Sequence, residues 1–216
     1  VVSAEAPRFA GSASGEPLTI AGPAGALEAR FTTPAAAPTH CAVICHPHPL
    51  FGGTMDNKVV TTLVRAAAAR GAATVRFNFR GVGASAGEHD HGVGEVDDAL
   101  AVIDWAAARW PGTRLWLLGF SFGSRIALAA AVRRPVERLV CVAPPVGRMA
   151  FGESGLPACP CLVVQGDADE LIDANAVIAW AQAAHPAPRL EILPGVSHFF
   201  HGRLHDLSAV VGTFLD

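Results

Sequence analysis

Two pentapeptides of the form Gly-x-Ser-x-Gly occur in this chain: Gly119-Phe120-Ser121-Phe122-Gly123 and Gly83-Ala84-Ser85-Ala86-Gly87. A serine in this pattern becomes a nucleophile when it sits on a tight turn between a strand and a helix. The flanking glycines permit a crowded turn that pushes the hydroxyl out above a sheet. Only the first copy has that setting: Leu115-Trp116-Leu117-Leu118 reads as a strand running into it, and Ser124 to Val132 reads as a helix leaving it. The start of that helix would offer free amides and partial positive charge to a developing oxyanion. Around Ser85 the pattern fails. Arg80-Gly81-Val82 separates it from its strand, and the polar run Glu88-His89-Asp90-His91-Gly92 stands where a helix should begin, so this copy reads as a flexible loop.

A serine hydroxyl is a weak nucleophile at neutral pH, so it needs a base with a pKa of about 6 to 7 and a carboxylate that fixes the base's tautomer. Both follow Ser121 at strand ends. Cys161 to Gln165 runs into Gly166-Asp167-Ala168-Asp169-Glu170, and Leu190 to Leu193 runs into Pro194-Gly195-Val196-Ser197-His198. Loops leaving parallel strands at one edge converge, and Ser, then Asp, then His is the chain order known where a strand–turn–helix of this kind carries the serine, which this chain resembles. Asp169 is the expected orienting acid, because the turn at Gly166 carries it farther round than Asp167. Asp167 is expected to bond the loop backbone, and Asp173 to cap the next helix. His198, on the loop itself, is the expected base, with His201 and His205 in surface or packing roles.

By its resemblance to the α/β-hydrolases, the chain would take a second oxyanion donor from the loop His46-Pro47-His48-Pro49-Leu50-Phe51-Gly52-Gly53. Proline has no N–H, so the donor is His48 or Leu50, acting beside Phe122. The side chains of Phe51, Phe120 and Phe199, together with Leu50, Phe122, Phe200, Met149 and Phe151, are candidates for an apolar acyl pocket, although aromatic residues also fill cores. Two other readings stay open: a metal-dependent hydrolase assembled from His46/His48, His89/His91 and His198/His201/His205, and a non-catalytic binding protein. The histidine spacings match no familiar metal-ligand pattern, so no metal or other cofactor is expected.

Positioning these residues requires an α/β architecture. Cys41 to Cys45, Ala73 to Phe79, Arg114 to Leu118, Arg138 to Ala143, Cys161 to Gln165 and Leu190 to Leu193 read as strands, most of them near-continuous in apolar residues as buried parallel strands are. Leu18 to Ala21 and Ala26 to Phe31 are weaker and could form a hairpin. Between the strands lie helical stripes: Val60, Leu63, Val64 and Ala67; Val96, Leu100, Ile103, Ala107 and Trp110; Ile126 to Val132; Val177, Ile178 and Ala181; and Leu204, Leu207, Val211 and Phe214. The alternation predicts a mostly parallel sheet with helices on its faces.

The 216 residues suit one domain, read as 1–216, and 51% apolar content suffices for a core covering both faces of a sheet. A formal charge of −3 without a basic stripe argues against nucleic acid. No apolar run approaches the roughly 18 residues a membrane span needs. Val1 to Ala10 lacks the features of a secretory leader, so a cytoplasmic location is expected. Most of the five cysteines, Cys41, Cys45, Cys141, Cys159 and Cys161, lie in strand-like runs and read as packing residues.

With these residues in hand, the chain from Cys41 onward resembles the α/β-hydrolase superfamily. The His-Pro-His-Pro loop with Gly52-Gly53-Thr54-Met55-Asp56-Asn57-Lys58, the turn at Ser121, Gly166-Asp167-Ala168-Asp169 and Ser197-His198-Phe199-Phe200 look like those of small bacterial hydrolases related to the dienelactone hydrolases. The resemblance implies a sheet of about eight strands with the second antiparallel, and a triad on Ser121, Asp169 and His198. Asn78 departs from the Asp common in the Asp-x-Arg-Gly-x-Gly loop, with a structural effect only expected. The stretch Pro144 to Pro157 is too short for a cap domain. The expected chemistry is hydrolysis of a small-molecule acyl ester or thioester through an acyl-enzyme; the sequence leaves the oligomeric state open.

Overall fold

The structure, a computed structural model, describes residues 15–152 and 155–216. The segment read for a leader, Val1 to Ala10, lies outside them. Among the described residues eight strands form one sheet in the order β1-β2-β4-β3-β5-β6-β7-β8. They are β1 (Glu16–Gly22), β2 (Gly25–Thr32), β3 (His40–Cys45), β4 (Ala73–Phe77), β5 (Arg114–Phe120), β6 (Arg138–Val142), β7 (Cys161–Gly166) and β8 (Arg189–Leu193). β2 runs antiparallel to β1 and β4, and every other pairing is parallel. The weakly patterned upstream segments are thus the hairpin β1–β2 at the sheet's margin, where few residues need burial.

Among the described residues five α-helices cover the faces: α1 (Lys58–Ala68), α2 (Gly94–Arg109), α3 (Phe122–Ala131), α4 (Ala174–Ala183) and α5 (Leu204–Leu215). Alternation along each strand divides the core. In β3, Cys41, Val43 and Cys45 pack toward α2 and α3, whereas Ala42 and Ile44 pack toward α1 and α5. Each fully buried Val, Leu or Ile contributes about 1.5–3 kcal/mol, so both faces are needed to hold the central strands. The starts of α1 and α4 follow side-chain chemistry: Asn57 accepts from the Val59 amide at 2.8 Å, and Asp173 accepts from the Asn175 amide at 2.9 Å. Between β6 and β7 the described residues form turns without helix or strand, and among the described residues no cap lies over the sheet.

From β3 the chain goes to β4 on one side, and β5 pairs with β3 on the other, so the direction of winding reverses between β3 and β5. The carboxyl ends of strands beside such a reversal form a crevice open to ligands. The loop after β3 carries the His-Pro-His-Pro run, and the turn after β5 carries Ser121.

Candidate active site

Ser121 lies between β5 and α3 with φ 53° and ψ −121°, a conformation that costs a non-glycine residue about 1–3 kcal/mol. Close backbone approach on both sides enforces it. A Cβ at Gly119 would stand 2.2 Å from the carbonyl oxygen of Gly123, and one at Gly123 would stand 2.3 Å from that of Cys45. The strained turn is anchored by the Ser121 amide, which donates to the Val142 carbonyl at 2.8 Å.

The hydroxyl of Ser121 lies 3.1 Å from His198 Nε2, and His198 Nδ1 lies 2.8 Å from Asp169 Oδ2. The imidazole and the carboxylate are buried. Asp169 Oδ1 accepts the amides of Leu171 and Ile172, both at 2.8 Å. Burial alone would raise the Asp169 carboxyl. The hydrogen bond from His198 and those two amides outweigh it and hold the group below the usual carboxylate range. An ionised acceptor at Nδ1 leaves Nε2 lone-pair outward, toward Ser121.

The neighbouring acids hold the loops together. Asp167 Oδ1 accepts the Gly195 amide at 2.6 Å, as expected of a loop-bonding acid, and Glu170 Oε2 accepts the His198 amide at 3.1 Å. Gln165, which the sequence reading passed over, donates from Nε2 to Asp169 Oδ2 at 2.9 Å. A polar residue closing the apolar run Cys161-Leu162-Val163-Val164 was its one visible signal.

The loop after β3 is built on His46. Its Nδ1–H donates to the Pro47 carbonyl at 2.6 Å, its Nε2 accepts the Phe79 amide at 3.0 Å, and burial lowers its pKa to about 4. His46 is therefore a neutral structural residue. His48 Nδ1 accepts the Leu50 amide at 3.3 Å, which occupies that N–H. The His48 N–H has no hydrogen-bond partner among the described residues. Its ring stacks obliquely on Phe122 at 4.9 Å, beside the first amides of α3.

The expected pocket residues divide. Phe120 is fully buried, its ring 5.2 Å from that of His198, because strand alternation turns it into the core facing α1 and α5. It supports the imidazole from below, which removes it from the expected acyl contacts. Phe122 and Phe200 are also buried, and Phe151 packs on Trp180 at 4.8 Å. Phe199 is half-buried against His198, while Leu50 and Phe51 stand 66% and 86% exposed on the 3-10 turn Pro49–Phe51. Leu171, two residues beyond Asp169, is exposed as well. His201 Nδ1 accepts from Lys58 Nζ at 2.8 Å. Among the described residues no three His, Cys, Asp or Glu side chains are grouped so as to hold a metal ion, and no helix is long and apolar enough to cross a membrane.

Sheet order, the strained serine turn and the absence of a cap define a lidless α/β serine hydrolase fold. Residues 25–158 match the family described as X-Pro dipeptidyl-peptidase (S15 family), and the chain belongs to that family of α/β-hydrolases. It is similar to an alpha-beta serine hydrolase homologue from Coxiella burnetii, at 45% identity over 94% of this chain and 98% of that one, with a TM-score of 0.90. XC6422 from Xanthomonas campestris, an α/β serine hydrolase without lid, is 44% identical over 93% of each chain, with a TM-score of 0.88. The uncharacterized protein RP471 of Rickettsia prowazekii is 36% identical over 90% of this chain and 86% of its own length.

Proposed function

We propose that this single-domain chain is a serine esterase acting on small carboxylic esters or thioesters, with Ser121 as nucleophile, His198 as general base and Asp169 as orienting acid. The observation that carries it is the hydrogen-bonded row from Ser121 Oγ through His198 to Asp169 Oδ2, with steps of 3.1 and 2.8 Å. His198 Nε2 takes the hydroxyl proton as Oγ attacks the acyl carbon, and the tetrahedral oxyanion accepts from the amides of Phe122 and His48. The imidazolium protonates the departing alcohol or thiol. Water then attacks the acyl-enzyme, giving its proton to His198, and the collapse returns that proton to Ser121 as the carboxylic acid leaves. No cofactor enters these steps. The exposed Leu50 and Phe51, with Phe199 against the imidazole, suit a short, uncharged acyl chain, and the motif likeness to dienelactone hydrolases favours a compact substrate. Free thiols at all five cysteines suit a reducing cytoplasm.

The test is labelling with a fluorophosphonate followed by peptide mapping. One adduct on the Ser121 peptide, with p-nitrophenyl acetate turnover lost in proportion, is the expected result. An adduct on Ser85, or ester turnover untouched by the reagent, overturns the assignment. The family's name suggests a peptide substrate, so an X-Pro p-nitroanilide run in parallel, turned over faster than the ester, would replace ester by amide as the substrate class.

A further inference from the structure

We propose that Gln165 is a positioning residue for the reaction, the fourth member of the hydrogen-bonded row, holding Asp169 by donating to the same oxygen that His198 uses. The inference rests on the hydrolase reading above and adds to it a group that touches neither substrate nor serine.

Gln165 lies one residue before the end of β7 and is fully buried. Its Nε2 has two acceptors, Asp169 Oδ2 at 2.9 Å and the Gly166 carbonyl at 3.0 Å. Both partners are acceptors only, so the nitrogen of the carboxamide must face them. Oε1 finds no donor among the described residues. The side chain therefore holds its orientation through Nε2 alone, at the expense of its own oxygen.

An ionised carboxylate has about four acceptor directions. Asp169 fills all four: Oδ1 takes the amides of Leu171 and Ile172, and Oδ2 takes His198 Nδ1 and Gln165 Nε2. The carboxylate is held from both ends and cannot rotate without losing bonds. Its oxygen stays aimed at Nδ1 while the imidazole cycles between neutral and protonated. The donor is uncharged, so it orients Asp169 without neutralising the anion that supports the imidazolium. Charged groups around Asp169 include His198 from the loop after β8, Arg148, which donates to the Leu171 carbonyl at 3.2 Å, and Asp167 and Glu170 on its own loop, and these acids are committed to the Gly195 and His198 amides. Among the described hydrogen bonds to the carboxylate, Gln165 gives the only one from a side chain other than His198.

Two substitutions separate positioning from packing. Gln165→Met keeps the volume and removes the donor. Gln165→Glu restores a donor only while the new carboxyl is protonated, and burial beside Asp169 raises its pKa. Measured with p-nitrophenyl acetate across pH, Gln165→Met is expected to lose kcat about tenfold at every pH with KM within twofold. Gln165→Glu is expected to exceed Gln165→Met at low pH and fall below it as the added carboxyl ionises, giving a descending limb that the wild type lacks. Parallel losses for both variants at all pH values, or a Gln165→Met kcat within twofold of wild type, overturn the inference. Should neither variant fold, the wild type decides: the Gln165 side-chain amide resonance must move as His198 is titrated, and one that stays fixed overturns it. Absence of ester turnover and of Ser121 labelling in the wild type counts against the hydrolase reading instead.

Discussion

Ser121 and Ser85 stand in the same five-residue pattern, yet the backbone places its strain on different residues. At 119–123 the serine itself takes φ 53°, and the glycines are there because neighbouring backbone comes within contact distance. At 83–87 the glycines take φ 58° and 83°, and the serine is relaxed. The hydroxyls differ accordingly. Ser121 Oγ faces an imidazole. Ser85 Oγ is buried, donating to the Asn78 carbonyl at 2.7 Å and accepting the Glu28 amide at 2.9 Å. The second copy is thus a pin that ties the loop after β4 to β2, where the sequence had suggested a flexible loop. A pattern of glycines around a serine specifies a tight turn; whether the hydroxyl is available depends on where the positive φ falls.

The sharpest way to break this contrast is Ser121→Ala, expected to lower kcat/KM for ester hydrolysis by a factor on the order of 10⁴ to 10⁶ with an unchanged fold. Turnover near wild type would end it. Ser85→Ala should do the reverse. Rates stay within a few fold, while two buried partners lose their bond at a cost of about 1–3 kcal/mol, read as a lowered melting temperature. A severe rate loss with normal stability would restore Ser85 as a nucleophile.

A third test concerns His46, which touches both copies. Its ring holds the Phe79 amide at the entry to the Ser85 loop, and its carbonyl oxygen lies against Gly123. Its pKa is lowered to about 4, while an unfolded histidine titrates near 6.5. Between those values the unfolded chain binds the extra proton. Stability therefore falls as pH drops from about 6.5 to about 4, by ~3 kcal/mol, and the loss is complete below that range. Burial lowers His40 and His48 as well, with the same sign. Urea unfolding across this range checks it, and a flat stability would show that His46 is not held neutral.

Much of this was legible because the central strands are buried on both faces. Their apolar runs leave little freedom in placing the turns that follow, so Ser121, Asp169 and His198 could be read as neighbours from strand ends alone. The margin was harder. β1 and β2 bury few residues, and their pattern is correspondingly faint. Phe120 was misread because an aromatic beside a nucleophile resembles a pocket wall, and only the alternation of β5 shows which face it joins. The bond that occupies the Leu50 amide is local, from the His48 side chain, and spacing does not encode it. Asn78 was expected to matter structurally, and it bonds both the Met55 amide and Glu28.

β8 has one neighbour in the sheet, and none of its five residues is fully buried. Fraying costs least at such a margin. The imidazole hangs from the loop that this strand delivers, so under the proposed mechanism turnover would stop while the centre of the sheet stays intact. Inhibition by cold, denaturant or a ligand that loosens this last strand needs no contact with Ser121 at all.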